Sequence, residues 1–566
     1  MHIAYMRFTA LLLLAASGAV AGSKVSKDLD SAKSGKIDVI VRYKQAPSDE
    51  YHAKAARRGA TLKLDLALVK SSVYNLPASA IQDLAADDEI EYIAPDRTLY
   101  AHGYNGAPPD FGWITTGADV ATRAFALDGT GIAVAVLDSG LDDRDDLRDA
   151  AGRSRIVYRE SFVPGRGPAD EYGHGSHVAG ILAGNGGHST GPLFKYTVRG
   201  IAPNAKIVAL RVLDENGAGQ DSWAIAAIQR AIALKDVFNI RVMNLSLGRP
   251  VAESFKTDPL CQAVERAWKA GIVVVASAGN GGRDNSAGTN GYATITAPGN
   301  DPYVITVGAM NTAGTATPAD DKIATYSSKG PTLFDHVVKP DIVAPGNRVF
   351  SLRDPGSTLD MTYPDNRVPL SVYSFFNIPL TPDYYNLSGT SMAAPMVAGA
   401  AALLIQKDPK LTPDQVKARL MKTATKFPAG ISVSTDPTTG QTFISQYDVF
   451  TIGAGYLNIP AALNNAELAS GPALSPQAVY DATTGNVYIV CTDFSGSTAV
   501  WGTTAVWGTT AVWGTTAVWG TTAVWGTTAV WGTSDVEGFT AVWGTTAVWG
   551  TATNAAGYAT AVNGDQ

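Results

Sequence analysis

The sequence predicts an α/β protein with a mostly parallel sheet, and three observations predict it. First, short β-branched apolar runs recur between residues 110 and 465: GIAVAVLDSG, KIVALRVLD, IRVMNLSLG, GIVVVASAGN and YVITVGAM. Second, helical patterns lie between several of them, as at Asp221–Leu234 and Leu260–Ala270. Strands that are apolar on both faces, joined by helical crossovers, make a parallel sheet covered on both sides. Third, the polar residues of interest fall where these runs end, and chemistry in such sheets collects at the carboxyl ends of the strands.

Other segments follow in chain order. The opening MHIAYMRFTALLLLAASGAVAGS has Arg7 in its head, an apolar stretch Phe8–Ala16, and small residues ending Ala19-Val20-Ala21. This is the pattern of a secretory signal spanning residues 1–21. The apolar stretch is too short to span hydrocarbon comfortably, and no later segment reads as membrane-spanning. Residues 22–105 form a small α+β unit: a strand over Ile37–Lys44, a helix over Ser48–Arg58, a strand over SSVYNLP, then a helix, a turn and a strand at Ile90–Ala94. Gly103–Pro109 reads as a linker, and the sheet domain is predicted over residues 106–465. Residues 466–497 read as a linker or a short β segment, since GNVYIVCTDFSG could add one strand.

Length and charge narrow the class. A chain of 566 residues is expected to hold two to four domains. Its net charge is −7, with no Lys or Arg after Lys426 and eight acids in that final stretch. No basic stripe stands out, so nucleic acid is excluded as an expected partner. The two cysteines, Cys261 and Cys491, are too few for a disulfide framework, and spacing leaves open whether they pair.

Three segments carry chemistry. VAVLDSG places Asp138 at the end of an apolar strand, GHGSHVAG places His174 at the start of an apolar helix, and SGTSMAAPMVAG places Ser391 at the start of a small-residue helix. A serine hydroxyl is a weak nucleophile at neutral pH. It needs a base to take its proton and a buried carboxylate to orient that base. A helix N-terminus adds unpaired N–H groups and a positive dipole end that favour a developing oxyanion. A second donor is needed, and VVVASAGN offers Asn280 just after another buried strand.

VAVLDSG, HGSHVAG, VVVASAGN and GTSMAAPMVAG, in this order, resemble the signature blocks of the subtilisin-like serine peptidases, the subtilases. The resemblance covers roughly residues 110–465. It implies a three-layer subtilisin-like domain and a secreted serine endopeptidase working through an acyl-enzyme. Asp138 would orient the base, His174 would be the general acid and base, and Ser391 the nucleophile. Asn280 would complete an oxyanion hole with the Ser391 backbone N–H. His177 is expected to be structural. Ser246, Leu247 and Gly248 of NLSLG would pair with an extended peptide by strand addition. Ala278 and Gly279 would wall the primary specificity pocket, with Thr296 and Ala297 near its floor. None of these is charged, so an apolar or neutral side chain is expected before the cut. The serine block departs from the family's usual form at Ala394 and Met396, where Ser and His are common.

By the same resemblance, residues 22–105 would be a propeptide that helps folding and then blocks the cleft with EYIAPDRTLYAHG. Autocatalytic cleavage is expected within about ten residues after Tyr100. An insertion-like stretch, roughly Arg353–Pro382, would either rim the cleft or cover core. No cofactor is expected for the chemistry. Structural calcium is common in the family, and Asp146 in DDRDDLRD is the candidate ligand, with a solvated acidic run as the plainer reading. The metal ligands are otherwise unassigned.

Residues 498–566 carry the repeat TAVWGT, broken at SDVEGF where Glu537 replaces Trp. Its even period puts every Trp of a strand on one face, and Thr, Val and Gly disfavour helix, so a β-prone tail is predicted. Two readings stay open. The indole row binds a surface or polysaccharide, or the tail is low-complexity sequence without a ligand. The rival function class follows from it: an adhesive protein whose peptidase serves only to mature it.

Overall fold

The N-terminal unit is an antiparallel sheet with its own small core. Strands run in the spatial order Thr61–Leu66, Ser71–Pro77, Lys36–Tyr43, Ile90–Pro95. Helices Asp49–Ala56 and Ile81–Ala85 accompany them. Val39, Val41, Leu76, Ile81, Leu84 and Ile93 fill the space between sheet and helices. The computed structural model describes residues 24–31, 35–101, 112–375, 382–427, 430–436, 440–481, 486–490 and 565. The signal sequence, the linker expected at Gly103–Pro109, Cys491 and the TAVWGT repeat lie outside them.

The main domain is an eight-stranded sheet. Its central order is Val273–Ser277, Ile240–Leu245, Ala133–Asp138, Lys206–Arg211, Ile156–Ser161. Ile305–Asn311 flanks Val273–Ser277 and pairs in parallel with Ile342–Pro345. Only the short Lys322–Ile323 strand is antiparallel. Every residue of Ala133–Asp138 and Val273–Ser277 is buried, as strands covered by helices on both faces require. Helix Thr390–Lys407 packs on the three strands Ile240–Leu245, Val273–Ser277 and Ile305–Asn311, and on helix His174–Ala183. Helices Asp221–Ala233 and Pro259–Lys269 pack on each other, and the second also on Val273–Ser277. The result is a three-layer α/β domain.

Helix Pro259–Lys269 starts where local chemistry dictates. Asp258 caps it by accepting from the Leu260 N–H at 2.9 Å, and Pro259 occupies the first turn, where its missing N–H costs nothing. Helix Pro413–Thr423 opens with a capping box between Thr412 and Gln415.

Residues past 465 continue the body. Gln477–Asp481 and Asn486–Val490 form a hairpin, and Ala473, Ala478 and Val487 join a cluster with Val338, Met421 and Phe450. Among the described residues, no helix is long and apolar enough to cross a membrane.

The two units meet along one strand, one helix end and an apolar face, where Ile40, Leu66, Val69 and Val73 join the main core beside helices Asp221–Ala233 and Pro259–Lys269. Thr98–Ala101 pairs antiparallel with Ala218–Gln220 on one side and with Leu247–Gly248 on the other. Asp96 accepts from the Ser222 N–H at 2.8 Å and from its hydroxyl, at the start of helix Asp221–Ala233. Arg97 forms an ion pair with Glu253 at 2.7 Å and reaches Asp28 at 2.9 Å.

Candidate active site

Asp138 ends its strand and His174 begins its helix, and the two meet. His174 Nδ1 lies 2.7 Å from Asp138 Oδ1, with both side chains 1% exposed. The close approach depends on Gly175. A Cβ there would stand 2.1 Å from the Gly140 carbonyl oxygen and 3.2 Å from Asp138 Cβ. Asp138 Oδ1 also accepts from the Ser139 N–H at 2.8 Å, so the carboxylate is fixed from two directions.

A second buried acid braces the helix start. Asp170 accepts from the Gly173 and Ser176 N–H groups, each at 2.7 Å, and from the Ser139 hydroxyl at 2.7 Å. The Ser139 hydroxyl in turn accepts from the Gly175 N–H at 2.9 Å. Burial raises the Asp170 carboxyl above its ordinary range, against the pull of these donors. Ser176 donates to Asp354 at 2.8 Å. Ser139, Asp170 and Asp354 were not legible as site residues. Their sequence signals are slight: Ser139 follows Asp138, and Asp170 is an acid four residues before His174.

Ser391 lies in the first turn of helix Thr390–Lys407, which starts after Gly389. Its hydroxyl donates to the Ser246 carbonyl at 3.0 Å, and the Ser246 hydroxyl donates to the Ser391 carbonyl at 2.7 Å. Pro395 explains the second bond. It has no N–H to give the carbonyl four residues earlier, which is that of Ser391, so Ser246 supplies the donor.

Asn280 is 8% exposed and faces the same helix start. Its Oδ1 accepts from the Thr390 N–H and the Thr390 hydroxyl, both at 3.0 Å. Its Nδ2 is buried with no hydrogen-bond partner among the described residues. An amide held by its oxygen, with its donor unspent, is arranged to receive an anion. Thr390 thus orients the group, a role its place next to Ser391 could have suggested.

His177 points elsewhere. Its Nε2 donates to the Val349 and Tyr385 carbonyls, each at 3.1 Å. Burial, reinforced by His174, pushes it down to about 3, so it is neutral and ties the helix to the Val349–Leu352 and Tyr384–Leu387 hairpin.

The expected peptide-cradling residues divide. Leu247 and Gly248 pair with Ala101 and Tyr100, while Ser246 spends its groups on Ser391. Gly279 has φ +101°, and a Cβ on it would meet Thr296 Cγ2 at 2.7 Å; one on Gly248 would meet Thr296 Oγ1 at 2.5 Å. Thr296 donates its N–H to the Ala278 carbonyl at 3.0 Å, and Ala297 exchanges backbone bonds with Arg249. Ala278, Gly279, Gly248 and Thr296 therefore converge. Nearby Arg249 is held by Asp221 and Asp258, at 2.8 and 2.7 Å.

The insertion-like stretch flanks the His174 helix. Thr358 and Leu359 donate their N–H groups to the Glu171 and Tyr172 carbonyls, and Arg353 and Arg367 both bind Asp360. Around Asp146 the groups are donors. Its oxygens accept from the His188 N–H and the Tyr384 hydroxyl, both at 2.8 Å, and the Arg155 guanidinium sits on its carbonyl. That donor set does not fit a calcium cage built on Asp146.

A family profile described as Peptidase_S8, the Subtilase family, matches residues 129–445. The chain belongs to the subtilase family. By that membership it is a serine endopeptidase. It is 38% identical to Serine protease AprX of Bacillus subtilis over 313 residues, covering 54% of this chain and 64% of that protein. It is 33% identical to Subtilisin E of the same organism over 413 residues, covering 72% of this chain and 90% of that protein. Among solved structures it is similar to fervidolysin from Fervidobacterium pennivorans, a keratinolytic enzyme related to subtilisin. The TM-score is 0.56 at 23% identity, over 83% of this chain and 66% of that one, a likeness that bears on the fold.

Proposed function

We propose that this subtilase is a secreted endopeptidase acting through Asp138, His174 and Ser391, and that it matures by cutting off its own N-terminal unit. The observation that carries the reading is the convergence at the start of helix Thr390–Lys407. Ser391 and the unspent Asn280 donor stand at that helix start, and His174, paired with Asp138 at the end of its strand, begins the helix packed against it. Ser391 Oγ attacks the scissile carbonyl while His174 takes its proton. Asp138 holds the imidazole in the tautomer that can accept there and stabilises the imidazolium. The oxyanion forms between the Asn280 amide and the Ser391 N–H. His174 then gives its proton to the leaving amine, and water resolves the acyl-enzyme by the same steps.

The cleft is already engaged by strand pairing. Thr98–Ala101 lies between Ala218–Gln220 and Leu247–Gly248, with Ala101 opposite Leu247, one residue from the Ser246 carbonyl that holds Ser391. Such placement supports residues 22–105 as a propeptide and cleavage within about ten residues after Tyr100. The pocket bounded by Ala278, Gly279 and Thr296 supports a neutral or apolar side chain before the cut. Secretion is supported by the signal pattern at residues 1–21 and by the likeness to Subtilisin E.

The test is Ser391→Ala. Casein hydrolysis should fall by at least about 10⁴-fold, and mass spectrometry should find the N-terminal unit still attached. Equal hydrolysis by both proteins would overturn the assignment.

A further inference from the structure

Beyond the repeat, residue Asp565 is 2% exposed and seated on the catalytic body. Three separate segments hold it. The Arg283 guanidinium and the Thr325 hydroxyl donate to Oδ1, the latter at 2.7 Å, and the Thr325 N–H donates to Oδ2 at 2.5 Å. Asn347 reads the backbone. Its Nδ2 donates to the Asp565 carbonyl and its Oδ1 accepts from the Asp565 N–H, both at 3.0 Å. Side chain and peptide group are therefore both recognised.

The receptor is braced by its own contacts and suited to an anion. Arg283 lies over the Phe443 ring at 4.5 Å and donates through Nε to the Thr325 hydroxyl at 2.9 Å. Thr325 and Asn347 are 1% and 2% exposed. With the carboxylate gone, a part-buried guanidinium and a buried N–H would lose their shared acceptor, and such groups are costly to leave unmatched. The segments involved are anchored next to the catalytic loops: Gly282 donates its N–H to the Tyr326 carbonyl at 2.8 Å, and Gly389 to the Gly346 carbonyl at 2.7 Å.

We propose that Arg283, Thr325 and Asn347 form a receptor for an aspartyl residue in peptide linkage, with Asp565 of this chain as its resident ligand. The chain is then held on the peptidase body on both sides of the repeat in sequence. One end follows the Asn486–Val490 strand and the other precedes Asp565.

Hydrogen exchange on the full chain tests this, in the Ser391→Ala background so that no self-cleavage intervenes. The readout needs no turnover, so its failure would leave the peptidase reading standing. Asp565→Ala should speed exchange in the peptide containing Thr325 by at least about tenfold, the least that losing a charge-assisted bond implies. Adding the hexapeptide AVNGDQ to that variant should restore protection, and AVNGNQ should not. Exchange unchanged by Asp565→Ala would overturn the latch. Equal restoration by the Asn peptide would overturn recognition of the carboxylate.

Discussion

Asn280 can aim its donor at an oxyanion because Thr390 occupies its acceptor side. Replacing Asn280 with Ala should lower kcat by about 10²–10³-fold with KM little changed, since the bond is made in the transition state. Steady-state kinetics on a short peptide checks this, and a rise in KM alone would assign Asn280 to ground-state binding. Asp354 makes a separate residue-scale prediction. Burial, with Asp170 and Asp142 close by, pushes its carboxyl up to about 8. An unfolded Asp titrates near about 4. The folded chain therefore keeps a proton there that the unfolded chain releases. This contribution is fully favourable below about pH 4 and fades as pH rises toward 8. Chemical denaturation of Ser391→Ala with and without Asp354→Asn should show the difference, with the Asn variant losing less stability over that window. Parallel profiles would remove Asp354 from the account.

At the scale of elements, the N-terminal unit docks through Asp96, Arg97 and the strand that follows, and through the apolar face of Ile40, Leu66, Val69 and Val73. Arg97→Ala leaves Glu253 buried without its cation, a change that typically costs about 3 kcal/mol, or roughly 100-fold in affinity. The cleaved unit should accordingly dissociate sooner, seen as a shorter lag before peptide hydrolysis begins; an unchanged lag would mean the ion pair is incidental to docking. Five of the parallel strands were legible because continuous β-branched runs bury both faces, as at Val273–Ser277, whereas the part-buried Ile156–Ser161 and the four-residue Ile342–Pro345 were not read. Ser71–Pro77, in the antiparallel sheet, was also read to the residue, from SSVYNLP ending at its proline. Thr61–Leu66 was not read, as it lies at the edge of its sheet with Leu62 and Leu64 exposed. The Val349–Leu352 and Tyr384–Leu387 hairpin escaped notice because a long Pro- and Tyr-rich stretch separates its arms. Among candidate site residues, Asp138, His174, Asn280 and Ser391 stand in recognisable blocks. Asp354 stands far along the chain from Ser176, the group it serves, and only tertiary folding brings the two together.

For the whole molecule, the repeat is separable from the chemistry in sequence, and Asp565 beyond it binds Arg283, Thr325 and Asn347 rather than Asp138, His174, Asn280 or Ser391. Deleting residues 498–566 should keep kcat/KM on a short peptide within about twofold, as expected for sites without shared partners. Loss of that activity would show the tail to be part of the catalytic body. The fold and the repeat were both visible in the sequence, but the seat of Asp565 was not, because Arg283, Thr325 and Asn347 are brought together only by the folded chain.

The strand Thr98–Ala101 belongs to the same polypeptide as Ser391, so the proposed self-cleavage would have a definite kinetic order. A segment tethered beside its target acts at an effective concentration of about millimolar or above, far beyond that of any free substrate at ordinary protein levels. The half-time of maturation should therefore stay constant when the precursor is diluted a hundredfold, whereas a cut made by one molecule on another would slow in proportion.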